Sequence, residues 1–211
     1  MSAAVSPSRI KIALGTAGFG DPSDPQAKFN DASTAVPLLD LFRSHGNLEL
    51  DTARAYPIGA FGTAEKLLGD LKVGEWATID TKVRSWVPQA HTKENVAKSV
   101  NDSLASLQVD KVNIMYLHAP DRTTPFVETV EAMDQAWREG KFARFGLSNF
   151  TAEEVEEIIQ ICEKEGLNKP TAYQCKYSII ARGSESELFP VLRKHGISFY
   201  AYRYLNSTHS S

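Results

Sequence analysis

Four ionisable side chains stand where catalysis can use them: an acid at Asp51, a phenol at Tyr56, an amine at Lys82 and an imidazole at His118. A phenol has an unperturbed pKa of about 10 and is a poor acid at neutral pH. An ammonium beside it favours the phenolate and lowers that value. A carboxylate partner would hold the ammonium in place. The set suits Tyr56 as proton donor, Lys82 as its tuner and Asp51 as the partner of Lys82. His118 can donate a hydrogen bond to a substrate oxygen or join a proton relay. The matching reaction is a carbonyl that becomes an alkoxide as it accepts hydride. No side chain supplies hydride, so this chemistry implies a nicotinamide cofactor. Ser148, Asn149 and Gln174 offer hydroxyl and amide groups that can hold a carboxamide, and Tyr202 offers a ring to stack on it.

Each residue alone also has a structural explanation. Asp51 and Tyr56 can be a strand end and a loop aromatic, Lys82 a solvated strand end, and His118 a loop histidine satisfied by backbone. Ser148-Asn149 can be turn chemistry, and Gln174 and Tyr202 can be packing residues. What joins them is recurrence. Asp51, Lys82, His118, Ser148, Gln174 and Tyr202 mark successive strand ends at intervals of about thirty residues, the period of a β/α repeat.

The elements follow from hydrophobic pattern. Strands are expected to end near Leu14, Asp51, Lys82, His118, Leu147, Cys175 and Tyr202, with the third running from Trp76 and the fourth, Val112 to His118, nearly continuously apolar. A first helix is expected from Ser33 or Thr34 to Gly46, with Pro37 in its first turn and Leu38, Leu39, Leu41 and Phe42 on its buried side. Others are expected near 62–71, after a Thr92 N-cap, over Thr129–Glu139, after the capping box Thr151–Glu154, and over Ser186–His195. Val96, Val100, Leu104 and Leu107 have helical spacing, as do Val155, Ile158, Ile159 and Cys162. Alternation of this kind means parallel strands with right-handed crossovers. Polar markers on every strand favour a (β/α)8 barrel of the TIM type over a doubly wound sheet with one switch point. The loop Gly15-Thr16-Ala17-Gly18-Phe19-Gly20 is either a phosphate cradle or a flexible turn, since its glycines do not fit a dinucleotide fingerprint.

The 211 residues suffice for a single domain, 1–211, with one sizeable core. A barrel of this type usually takes about 250 residues. With 42% hydrophobic residues and a net charge of −3, no strong field favours nucleic acid or an anionic membrane. Residues Met1 to Arg9 lack the apolar stretch of a signal peptide, and no run is long enough to span a bilayer. Cys162 and Cys175 have no metal-site spacing and read as reduced structural thiols, so no metal and a cytoplasmic location are expected.

Several segments together resemble the aldo-keto reductases, most closely their aflatoxin-aldehyde reductase branch. They are Leu50-Asp51-Thr52-Ala53 through Tyr56, Ile79-Asp80-Thr81-Lys82, and Tyr116-Leu117-His118-Ala119-Pro120-Asp121. Gly140-Lys141-Phe142, Gly146-Leu147-Ser148-Asn149-Phe150 and Glu187-Leu188-Phe189-Pro190 complete the set. The resemblance spans roughly residues 10–202. It implies a (β/α)8 barrel, NADP(H), and reduction of aldehydes and some ketones. It also implies Tyr56 as general acid supported by Asp51, Lys82 and His118, with Ser148, Asn149 and Gln174 on the nicotinamide amide and Tyr202 on its ring. After the seventh strand the family continues with a loop that helps hold the pyrophosphate, where this chain has Arg203-Tyr204-Leu205 and a Ser/Thr-rich tail. The expectation is an incomplete barrel, truncated at the C-terminus, without the eighth strand and final helices. Two functions remain open: an NADP(H)-dependent reductase acting on a small-molecule carbonyl substrate, or a catalytically silent chain that binds partners through the remaining barrel. A homodimer is a further expectation.

Overall fold

A computed structural model describes residues 10–204. The segment Met1 to Arg9 and the tail after Tyr204 lie outside the described residues. Seven strands alternate with helices: β1 (Ala13–Gly15), β2 (Glu49–Asp51), β3 (Thr78–Val83), β4 (Val112–Leu117), β5 (Phe142–Ser148), β6 (Ala172–Lys176) and β7 (Ser198–Tyr202). All six pairings are parallel, in the order β1-β2-β3-β4-β5-β6-β7. Register places Asp51 opposite Asp80 and Ser148 opposite Gln174. The sheet is curled rather than flat, because Gln174 on β6 reaches Asp51 on β2 in a 2.9 Å hydrogen bond. Those strands are far apart in sheet order and meet only across a barrel interior. This is a (β/α)8 architecture left incomplete: among the described residues β1 and β7 form its two edges, and no pairing joins them.

Alternation along the strands sorts the side chains. Leu50, Ile79, Met115, Leu117, Phe145, Leu147 and Tyr173 are buried outward, against a shell of helices. These helices are α1 (Ala32–Ser44), α2 (Thr63–Asp70), α3 (Lys93–Leu107), α4 (Phe126–Arg138), α5 (Ala152–Glu165) and α6 (Leu188–Lys194). The expected helical stripes face this core: Val96, Val100, Leu104 and Leu107 on α3, and Val155, Ile158, Ile159 and Cys162 on α5, are all buried. Each such side chain contributes about 1.5–3 kcal/mol of burial. Helices α2 and α3 pack so closely that a Cβ at Gly69 would stand 2.1 Å from the Ser106 carbonyl oxygen, which is why that position is glycine. Both cysteines are free and buried.

Boundaries differ in four places. Helix α1 starts earlier than expected, because Asp31 caps it. Its carboxylate accepts the Thr34 N–H at 2.9 Å, and the Thr34 hydroxyl accepts the Asp31 N–H at 3.3 Å. Pro37 therefore lies in the second turn, on the exposed side, where its missing donor costs an intrahelical bond. Leu41 is 58% exposed, since helical geometry puts Ala35, Leu39 and Phe42 on the inner face and turns Leu41 away. The third strand starts at Thr78, α4 at Phe126 and α6 at Leu188, the last after a short 3-10 turn over Gly183–Glu185. Thr92 and Thr151 cap α3 and α5 as their types suggest.

Candidate active site

The C-terminal ends of the strands deliver the chemistry. Asp51 is the last residue of β2, and Lys82 is the penultimate residue of β3. Successive inward positions aim both side chains into the barrel. The Lys82 ammonium is wholly buried and donates to Asp51 Oδ1 at 2.8 Å, to Oδ2 at 2.7 Å, and to the Thr52 carbonyl at 2.8 Å. Burial opposes its charge and is the largest single influence, but Asp51, Tyr56 and Asp80 together outweigh it and hold its pKa above the ordinary lysine value. Gln174 Nε2 donates to the same carboxylate, so Asp51 joins β2, β3 and β6.

Tyr56 and His118 come from the loops after β2 and β4. The Lys82 nitrogen lies 5.0 Å from the centre of the Tyr56 ring. The rings of Tyr56 and His118 meet edge to face at 5.4 Å. A lysine was expected to lower the phenol pKa. Here burial raises it and outweighs the opposing pull of Lys82. His118 is 6% exposed, and its Nδ1 has no partner among the described residues. Burial first, and the Lys82 charge second, push its pKa down to about 2. The imidazole is therefore neutral, which narrows it to hydrogen bonding rather than service as an imidazolium.

The remaining residues form one network. Asn149, in a left-handed conformation with φ 64° that asparagine tolerates, donates through Nδ2 to the His118 carbonyl and to Ser148 Oγ, both at 2.9 Å. Tyr202 donates its hydroxyl to Asn149 Oδ1 at 2.9 Å. Two of their side-chain polar groups stay unspent among the described residues: the Ser148 O–H and the Gln174 amide oxygen Oε1. The structure thus gathers all eight singled-out residues at one mouth. In the Gly15–Gly20 loop, Gly20 has φ 114°, and a Cβ there would stand 2.5 Å from Thr63 Oγ1, so the close approach is to α2.

Sequence reading did not single out Trp86, whose ring lies 4.3 Å from that of His118. An aromatic four residues after the buried lysine was the available signal. It also passed over the pair that sets the His118 loop. Ser85 Oγ accepts the Ala119 N–H at 3.2 Å and bonds His91 Nε2 at 2.9 Å. The His91 N–H in turn donates to Asp121. Beneath the site, burial beside Glu49 raises the Asp80 carboxyl pKa.

These environments set a pH dependence. Burial holds His91 at about 4 and His118 at about 2, both below the value of about 6.5 in an unfolded chain. Their stabilising share is complete above that value and drains as pH falls toward the folded values. Asp80 works oppositely, gaining as pH falls, but it is one group against two. The thermal midpoint should therefore fall as pH drops from about 6 to about 4.5. Replacing His91 by Asn should flatten the slope by about one proton. Circular dichroism melts across that range check this, and a flat or rising midpoint contradicts it.

Fold and mouth define the class: a parallel β/α barrel chain with its polar side chains collected at the C-terminal edge. Residues 11–210 match the family model of the Aldo/keto reductase family, and the chain belongs to that family. It is 40% identical over 177 residues to aflatoxin B1 aldehyde reductase member 4 of Homo sapiens, an overlap covering 82% of this chain and 53% of that protein. It is 35% identical over 205 residues to oxidoreductase sirO of Leptosphaeria maculans, covering 96% of this chain and 61% of that one. Among solved structures, the thermostable aldo-keto reductase Tm1743 in complex with the inhibitor epalrestat superposes with a TM-score of 0.77 at 27% identity. That match covers 94% of this chain and 70% of the other. The chain spans about half the length of the human reductase it matches. No helix among the described residues is long and apolar enough to cross a membrane.

Proposed function

We propose that these residues carry the catalytic half of a reductase that converts aldehydes and ketones to alcohols with NADPH. The observation that carries this reading is the fully buried Lys82 ammonium, clamped on Asp51 beside the Tyr56 ring, with His118 against the same ring. NADPH, when bound, supplies the hydride. Its carboxamide needs one donor and one acceptor, and the unspent Ser148 hydroxyl and Gln174 Oε1 provide that pair. The half-exposed Tyr202 ring, fixed through Asn149, gives the flat surface. Tyr56 donates its hydroxyl proton to the substrate oxygen as negative charge develops there, and its raised pKa keeps that proton in place until then. The Lys82 charge stabilises the phenolate left behind. Neutral His118 donates a hydrogen bond to the same oxygen, and Trp86 shields it from water.

The test is a chimera joining residues 1–202 to the C-terminal part of the human reductase. It should consume NADPH when given an aldehyde, followed by absorbance. The 211 residues alone should bind NADPH at least tenfold more weakly, because dinucleotide affinity draws on contacts along the whole molecule. A folded chimera that binds NADPH and leaves aldehydes untouched would sink the proposal.

A further inference from the structure

Outside the mouth, a cavity of 410 Å³ opens between the loops after β2 and β3 and the outer face of α3. That volume suits a small organic ligand. Two guanidinium groups line it. Arg54 donates through Nη1 to Glu65 at 2.9 Å and to Ser106 at 3.1 Å. The other N–H donors of its guanidinium meet no acceptor among the described residues. Gly62, with φ 79°, makes room for that guanidinium, since a Cβ there would stand 2.4 Å from Arg54 Nη1. Arg84 is exposed, and its guanidinium carbon sits 5.2 Å from the centre of the Phe61 ring. Among the described residues that guanidinium has no ion pair and no hydrogen bond. Ser99 Oγ accepts the Arg84 backbone N–H at 2.9 Å, which leaves its own O–H free to donate.

The charges decide what such a wall attracts. Fully buried Glu65 is matched by Arg54 and by the Thr81 hydroxyl. Lys98 is paired with Asp102 at 2.7 Å. Among the described residues Arg84 is the one lining cation left without a counter-charge, and donors exceed acceptors around it. Phe61 and Val87 add an apolar wall. Planar guanidinium groups favour carboxylate and phosphate oxygens, which they bind in pairs.

We propose that this cavity binds a small organic anion, a carboxylate or phosphate ester on a flat apolar body. The carboxylate or phosphate lies against Arg84 and Arg54, and the body lies along Phe61 and Val87. Its occupant rests on both catalytic loops. Arg54 lies between Asp51 and Tyr56 in the chain, and its backbone N–H donates to the Lys82 carbonyl at 3.0 Å. Arg84 follows Lys82 by two residues.

The experiment titrates the 211-residue chain with phenyl phosphate, benzoate and neutral benzamide, followed by ligand-observed NMR. Either anion, or both, should bind at least tenfold more tightly than benzamide. A preference for phenyl phosphate assigns a phosphate ester, and a preference for benzoate a carboxylate. Arg84→Gln should weaken anion binding at least tenfold without altering the circular dichroism spectrum, because the side chain is exposed. Arg84→Lys, which keeps charge but loses the planar fork, should fall between. Absence of anion binding at millimolar concentration, equal binding of benzamide, or indifference to Arg84→Gln would each overturn the proposal.

Discussion

Tyr56→Phe should lower carbonyl reduction by the chimera about 10²- to 10⁴-fold, the range that a positioned general acid supplies. In free energy this is roughly 3–5 kcal/mol of transition-state stabilisation. Little else changes, because phenylalanine keeps the ring. The Lys82 contact at 5.0 Å and the edge contact with His118 at 5.4 Å both involve that ring and not its hydroxyl. NADPH affinity and the thermal midpoint should therefore stay close to those of the parent. The loss should appear in kcat and kcat/KM together, the mark of an interaction made only in the transition state. The pH profile supplies a second check. Burial raises the Tyr56 pKa, so the parent keeps its acid protonated through the ordinary phenol range and loses rate only as pH rises beyond it. A Tyr56→Phe enzyme with near-normal turnover would show that another group delivers the proton.

Strand ends were legible because each carries a polar residue after an apolar run. Asp51, Lys82 and Ser148 all lie on or at the end of a strand, and their meeting follows from the barrel repeat alone. The bond between Gln174 and Asp51 was not legible. Its partners are 123 residues apart, and only the curl of the sheet brings them together. The cap of α1 was missed because Asp31-x-x-Thr34 reverses the usual chemistry of a Ser/Thr cap with a Glu partner, yet it makes the same two bonds. The sign of the Tyr56 shift was missed for a different reason. Spacing shows which charge is near, whereas burial depends on every loop that closes over the ring, and here burial wins. Arg54 and Arg84 passed unnoticed because each reads as an ordinary loop cation. Only the packing of the loops after β2 and β3 against α3 reveals that they face one cavity.

Lys82→Met should cost both stability and turnover, and a second substitution separates the two. The ammonium is the centre of a buried arrangement of the Asp51 carboxylate, the Thr52 carbonyl and the Tyr56 ring. Removing it strands the Asp51 carboxylate, whose side chain is 15% exposed, and takes the partner from the Thr52 carbonyl. Gln174 Nε2 remains on Asp51, but a neutral amide does not balance a carboxylate. Breaking one half of a buried pair typically costs about 3–5 kcal/mol, most of it the penalty of the charge left behind. Urea midpoints of the chimera should show a loss of that size. Turnover should fall at least as far as in Tyr56→Phe, since the phenolate formed in the reaction loses its neighbouring cation. In Asp51→Asn/Lys82→Met the stranded charge is gone. Most of the stability should then return, because neutral replacements of a buried pair are often tolerated. The rate should not return, because nothing restores the cation beside Tyr56. Strong coupling between Asp51 and Lys82 is therefore expected in stability, while the rate of the double variant stays at the level of Lys82→Met. Lys82→Met retaining turnover within tenfold of the parent would remove the ammonium from the mechanism. Recovery of rate alongside stability in the double variant would show that the pair serves folding alone.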